Sequence, residues 1–535
     1  PAVHEPLDGI DVTDDSLFIA LVAEFAAQRN QLETTVANYL ALAERHRDLK
    51  IAKRATRVAM FARDDEAAFR AAKIWVDLEP QNQQARQALA AMYLRSGDSE
   101  GALAEIEHIV ADTDDVDETL SLVISLLGRP EDLHAALEVM TYLVDRHTDN
   151  RDVLVAYALL AIRAERLTIA EDAMNRIMAG GELNANMALA YVTALQKQNR
   201  REDALQWLEK ALDINPEQPG IRLIYARLLA QVGRFEEARL EFMLLAKDDP
   251  DNTDVLFALG LLNMQANRAP DARTNFERLL DLEIRTDEAN FYLGQLAEID
   301  EREEDALAYY RRTNGGNNYL GAQLRVAWIL ARQGNIAAAR GHLNRVRTDS
   351  EEQEIALVRA EGEILTDHDQ LQQAMAVYNE ALGKYQDVDL LYNRAMLAER
   401  LGDLDKLEQD LRKILEIDSD NAQALNALGY TLADRTDRFE EALSLIERAL
   451  KLSPTDFYIL DSMGWVLYRL GRLDEAREFL RQALALRNDP EVAAHLGEVL
   501  WVLGEHASAR EVWDSALRET PGAEQVLDAM QRLAP

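Results

Sequence analysis

Three short stretches of this 535-residue sequence combine residue types and spacings that could do chemistry. Residues 97–101 read Gly-Asp-Ser-Glu-Gly, the Gly-x-Ser-x-Gly spacing that presents a serine nucleophile on a sharp elbow. Such an elbow needs a strand before the serine, and none is written here. Residues 112–118, DTDDVDE, are a row of carboxylates of the kind that binds calcium. They lack the central glycine and the closing glutamate of a calcium loop, so a helix-capping stretch is the simpler reading. Residues 314–318, NGGNN, are glycine-rich but lack the lysine that a phosphate-binding loop requires. The nine histidines are scattered, with no H-E-x-x-H pair. There is no cysteine, which excludes disulfides, thiol chemistry and thiolate metal sites. No enzyme and no cofactor are expected from these residues.

The first stretch belongs to a larger pattern. From Ala68 an alanine returns every 34 residues, at Ala102, Ala136, Ala170, Ala204, Ala238, Ala272 and Ala306. The step then wobbles by one through Ala339, Ala374, Leu407, Ala442, Ala476 and Ala509, and Thr35 stands where the series would begin. A second small residue recurs upstream of many of these, as at Ala226, Gly260, Gly294, Ala327, Ala395, Gly429, Gly464 and Gly497. Between the two columns come Gly233, Gly334, Gly402, Gly471 and Gly504, with Gly97 of the serine motif in the same slot. Prolines 80, 216, 250, 454 and 521 close units.

These columns describe helical hairpins. Apolar residues at helical spacing, such as Leu443, Ile446, Ala449 and Leu450, give each segment one buried face. Paired small residues let two helices approach closely, and a bulky residue at either would overpack the contact. Glycine ends the first helix because it accepts a positive φ without strain. A single hairpin cannot bury both faces, so the units must stack and the last must be capped. Leu407 breaks the alanine rule, and its hairpin, 388–421, is expected to be splayed or offset. The composition agrees: Gly (24) and Pro (12) are sparse and helix formers dominate.

The period and the columns resemble the tetratricopeptide repeat (TPR) family over about residues 20–521. That resemblance implies an all-α, right-handed α/α superhelical solenoid of about fourteen hairpins. Residues 1–15 are expected to form an acidic tether, 16–180 degenerate hairpins, 181–521 the regular array and 522–535 a capping helix. In this family, position 9 of each first helix faces the concave side. The corresponding residues include Leu261, Gln295, Trp328, Met396, Tyr430 and Trp465, with Arg227 and Glu498 at either end. Phe257, Tyr392, Tyr468 and Trp501 lie at neighbouring inward positions. An exposed column of Trp, Tyr and Met is the chemistry of an interface anchor, and these residues are the expected protein-binding groove. Trp75, Trp207 and Trp513 fall on second helices and are expected in the core.

The net charge of −37 argues against nucleic acid as a partner. The lysines of a clamp for C-terminal carboxylates are missing from the matching positions, which hold Asn426, Tyr430, Asp461 and Trp465. No apolar run reaches membrane-spanning length. The chain begins PAVHEPLDGIDVTDD, without an initiator methionine, so a preceding segment is expected to have been removed. The C-terminal block, "NALGYTLADRTDRFEEALSLIERALKLSP" onward, resembles proteobacterial periplasmic TPR lipoproteins. That resemblance implies an adaptor that binds a carboxyl-terminal processing protease and presents peptidoglycan cross-link hydrolases to it. It also implies a periplasmic location and an outer-membrane anchor through a lipid on the removed segment. A scaffold for exopolysaccharide export or envelope assembly is the alternative.

Overall fold

The structure, a computed structural model, describes residues 16–111, 133–146, 148, 150–181 and 183–534. The expected tether at 1–15 and the DTDDVDE stretch lie outside the described residues. Among the described residues there are 30 helices and no strand. The helices pair into antiparallel hairpins, from Ser16–Gln28 with Leu32–His46 to Pro490–Val502 with His506–Glu519. A last helix, Glu524–Leu533, packs on Pro490–Val502 and buries Val526 and Ala529.

The alanine column is the seam of each hairpin. Every member from Ala68 to Ala509, Leu407 included, has 0% exposure, and Thr35 follows at 1%. One turn further along the second helix Ala72 follows Ala68, and in every hairpin from Ala102 to Ala509 a large residue stands at that place. Where the first helix offers glycine, that residue fills the space a Cβ would need. At Gly260 a Cβ would come within 2.5 Å of the Phe276 ring, at Gly294 within 2.6 Å of Tyr310, and at Gly429 within 2.5 Å of Ile446. Gly464 against Leu480 and Gly497 against Trp513 are tighter still. Gly362, on the helix Glu351–Asp367, has the same relation to Tyr378, although it was not among the residues that carried the repeat. Trp75, Trp207 and Trp513 are buried, as expected of second-helix tryptophans.

Most hairpin turns use one left-handed residue, although the turn between Ala422–Arg435 and Phe439–Leu452 has none. Glycine takes that place at 97, 233, 334, 402, 471 and 504. The same place is taken elsewhere by residues that carry a side chain, among them Asn199, Asn267, Glu165 and Glu301. First helices are started by side-chain caps: Asn82, Asn252, Asn421 and Asp456 each accept from backbone N–H groups of the first turn. The hairpin at Leu407 is not splayed. Leu407 is buried in it, and Arg394 spans the two helices to Asp410 with two bonds of 2.7 Å.

The chain divides into two compact units, residues up to Arg278 and residues from Leu279. In the second unit, one core runs from Ala297 to Leu397 and another from Leu391 to Ala529. Here the first helices also touch one another: Ala422–Arg435 meets Phe457–Arg469, which in turn meets Pro490–Val502. Those helices form a wall, and the candidate site lies on it.

Candidate functional site

The serine and glycine-rich motifs serve the backbone. Gly97 is the left-handed turn residue of its hairpin, at φ +76°, and the Asp98 carboxylate caps the next helix by accepting from the Gly101 N–H at 2.8 Å. Ser99 is the first residue of that helix. In NGGNN the Asn314 N–H donates to Asp287 at 2.7 Å, and Gly316 adopts φ +72° in a connector. Among the described residues, no group of three or more His, Asp or Glu could hold a metal ion.

The ten groove residues do not share one environment. In the first unit, Phe257 and Leu261 are half-buried on Thr253–Gln265, and Phe257 packs edge-on against Phe276 with ring centres 6.2 Å apart. In the second unit, Gln295 and Trp328 are half-buried on Thr286–Ile299 and Tyr319–Arg332, with Trp328 against the core. Tyr392, Met396 and Tyr430 come together in the lining of a pocket of 630 Å³. It is built by the first helices of four successive hairpins: Val388–Arg400, Ala422–Arg435, Phe457–Arg469 and Pro490–Val502.

Trp465 is not an exposed anchor. It is 7% exposed, stacks on His495 at 4.2 Å between ring centres, and donates its indole N–H to Asp434 at 3.3 Å. The next first helix lies over it, so the position that would face the groove is closed by its neighbour. Glu498 is also buried, and accepts from Tyr468 at 3.1 Å and from Arg532 of the last helix at 2.9 Å. Tyr468 is half-buried, and its hydroxyl pKa is pushed up to about 12 by burial and by the Glu498 charge. Trp501 is half-buried and stacks on Trp513 at 5.8 Å.

Polar groups fix the pocket's floor. Asp461, at the edge of the lining, accepts from His495 Nδ1 at 2.9 Å. Burial opposes a charge on that imidazole, but the Asp461 carboxylate, helped by Glu491 and Glu498, outweighs it and raises the pKa above the ordinary 6.5. Tyr430 donates its hydroxyl to Glu491 at 2.9 Å. Glu399 has its pKa raised by burial, with Glu491 and Asp434 adding to the effect against Arg435. His495, Glu491 and Glu399 were missed in the sequence. Their signal was helical spacing from residues already named, since Glu399 lies seven residues after Tyr392 and three after Met396.

Stacked hairpins with a 34-residue period and a pocketed wall of first helices define a helical-repeat scaffold. The tetratricopeptide repeat family matches residues 195–255, 257–319, 388–421, 420–489 and 462–524. The Pseudomonas aeruginosa protein described as TPR repeat-containing protein PA4667 is 36% identical over 491 residues, covering 91% of this chain and 82% of that protein. Type IV pilus assembly protein PilF of the same species is 31% identical over 110 residues, 20% of this chain and 43% of its own. The Vi polysaccharide export protein VexE of Salmonella typhi is 28% identical over 114 residues, 21% of this chain and 17% of its own. This chain belongs to the tetratricopeptide repeat family. Repeats of this kind serve as scaffolds for protein–protein interaction.

Proposed function

We propose that the chain is an adaptor that holds a partner polypeptide on the first-helix wall of its second unit. The observation that carries this reading is the 630 Å³ pocket in which Tyr392, Met396 and Tyr430 converge. Ring faces and a thioether offer a polypeptide large contact area at small entropic cost. Tyr430 is held in place by Glu491, so the wall is arranged before a partner arrives.

The resemblance to periplasmic TPR lipoproteins gives the partners their identity in this proposal. One surface binds a carboxyl-terminal processing protease, and the wall presents peptidoglycan cross-link hydrolases to it. Tethering raises local substrate concentration to the order of millimolar without any bond being made by the adaptor. The location proposed is the periplasm, with a lipid anchor on a segment preceding this sequence. A scaffold role in polysaccharide export is the second reading, supported by the similarity to the Salmonella export protein over 114 residues.

The test uses purified protease and hydrolase from the same host, with the full chain present or omitted. Adding the chain is expected to accelerate hydrolase degradation, and the Tyr392→Ala, Met396→Ala double variant to remove most of that acceleration. Equal degradation with and without the chain, and no complex on size exclusion, would overturn the adaptor reading. Co-elution with an export porin in place of the protease would favour the second.

A further inference from the structure

We propose that the wall pocket is a receptor for a cationic side chain, fitting the guanidinium of an arginine carried on an extended segment of the bound polypeptide. The inference rests on the reading of this wall as the partner-binding face, and adds the chemistry of what is bound.

On a chain of net charge −37, acidic residues alone would single out nothing. This site differs in how they are placed. The lining includes the carboxylates of Glu399 and Glu491, together with Asp461, already paired with His495 at 2.9 Å, and Asp456, which caps the helix Phe457–Arg469, and it contains no lysine, arginine or histidine. Tyr392, Tyr430 and Tyr458 stand in the same lining, so a cation entering the pocket meets aromatic faces as well as carboxylates. Other acidic residues of this unit are already matched: Glu408 and Glu441 pair with Arg412 and Arg438, and Asp410 with Arg394. Among the described residues, neither Glu399 nor Glu491 forms an ion pair, although Glu399 is half-buried. The side-chain oxygen of Asn426, also in the lining, is buried without a hydrogen-bond donor.

These features select one kind of occupant. Unpaired carboxylates and an unsatisfied acceptor oxygen call for a group with several donors and a positive charge. Flat aromatic walls favour a planar, weakly hydrated cation over a compact, strongly hydrated one, which is the difference between guanidinium and ammonium. A pocket of 630 Å³ holds a few side chains of an extended segment and no folded domain. The pKa of Glu399 is raised by burial and by the Glu491 and Asp434 charges despite the opposing Arg435, which agrees with a site short of counter-charge.

The experiment uses the full chain and fluorescein-labelled nonapeptides of one sequence with arginine, lysine or citrulline at the central position, read by fluorescence anisotropy. Citrulline keeps the shape of arginine and removes its charge. The arginine peptide is expected to bind about tenfold more tightly than the citrulline peptide, as one charged, stacked contact would give. In the Glu399→Gln, Glu491→Gln variant, whose glutamines keep an acceptor for Tyr430, that ratio is expected to fall to about two. Equal binding of arginine and citrulline peptides, or a ratio unchanged in the double variant, would overturn the proposal. A lysine peptide binding as well as the arginine peptide would overturn the guanidinium assignment. If the peptides fail to discriminate while Tyr392→Ala, Met396→Ala still abolishes hydrolase delivery, the cation receptor falls and the binding wall stands. Loss of both would sink the wall itself.

Discussion

Replacing Trp465 by alanine should be a lesion of the core and not of a surface. Its side chain is 7% exposed, stacked on His495 and hydrogen-bonded to Asp434. A buried tryptophan removes on the order of 200 Å² from water, which at about 25 cal/mol per Å² sets an upper bound of roughly 5 kcal/mol. Aromatic-to-alanine replacements in cores cost about 3–5 kcal/mol, and about 4 kcal/mol is the expectation here. In a repeat array this loss is felt locally, because each hairpin contacts only its neighbours. Hydrogen exchange read by mass spectrometry is therefore the right assay. Backbone amides of Phe457–Arg469 and Pro490–Val502 should exchange about a thousandfold faster, while those of Thr253–Gln265 should not change. Tyr458→Ala, on the same helix but 55% exposed, is the control and should change stability by about 0.5 kcal/mol or less. Unchanged exchange in Trp465→Ala, with partner binding lost, would refute the burial argument and restore Trp465 to the groove.

Three further outcomes follow from the packing. Gly294→Ala places a Cβ 2.6 Å from the Tyr310 ring and should destabilise its hairpin by about 1–3 kcal/mol, read as a lower urea midpoint. Glu301 holds φ +59° in a hairpin turn, so Glu301→Gly should stabilise by roughly 0.5–1 kcal/mol through relieved strain, and any loss of stability would contradict this. His495 has its folded pKa raised above 6.5, so the stability it contributes is full below that value and is lost as pH rises through the folded one. The melting temperature of the native chain minus that of His495→Gln should thus fall as pH rises above about 6.5, and a flat difference would deny the Asp461 pairing.

Much of the fold was legible because it is written in columns. A buried small residue at a hairpin crossing tolerates few substitutes, so Ala68 through Ala306 stand out at one spacing. The turns were half legible: glycine announces a positive φ, but Glu165 and Glu301 adopt one too, held there by the hairpins on either side. Gly362 escaped notice although its packing against Tyr378 matches that of the other first-helix glycines. Leu407 misled because size was judged without its neighbours; the hairpin accepts leucine there and bridges its helices with Arg394 and Asp410. The groove was the least legible part. Helical spacing places Tyr392, Met396, Tyr430 and Trp465 on one side of their helices, yet whether such a residue meets solvent or the following helix depends on how hairpins stack. Tyr392, Met396 and Tyr430 line the pocket, and Trp465 lies sealed beside it. The carboxylates that give the pocket its charge were invisible as a group, since Glu399, Asp461 and Glu491 come from three different hairpins.

The most direct measurement is site-specific photocrosslinking in the native host, with a benzophenone amino acid at Tyr392 on the first-helix wall or at Leu452 on a second helix. Leu452 is 45% exposed and Tyr392 lines the open pocket, so both probes can reach a partner. The account predicts crosslinks from position 392 to a bound polypeptide through a segment containing arginine, and few from position 452. Crosslinks from 452 with none from 392 would place the partner on the opposite face and contradict it.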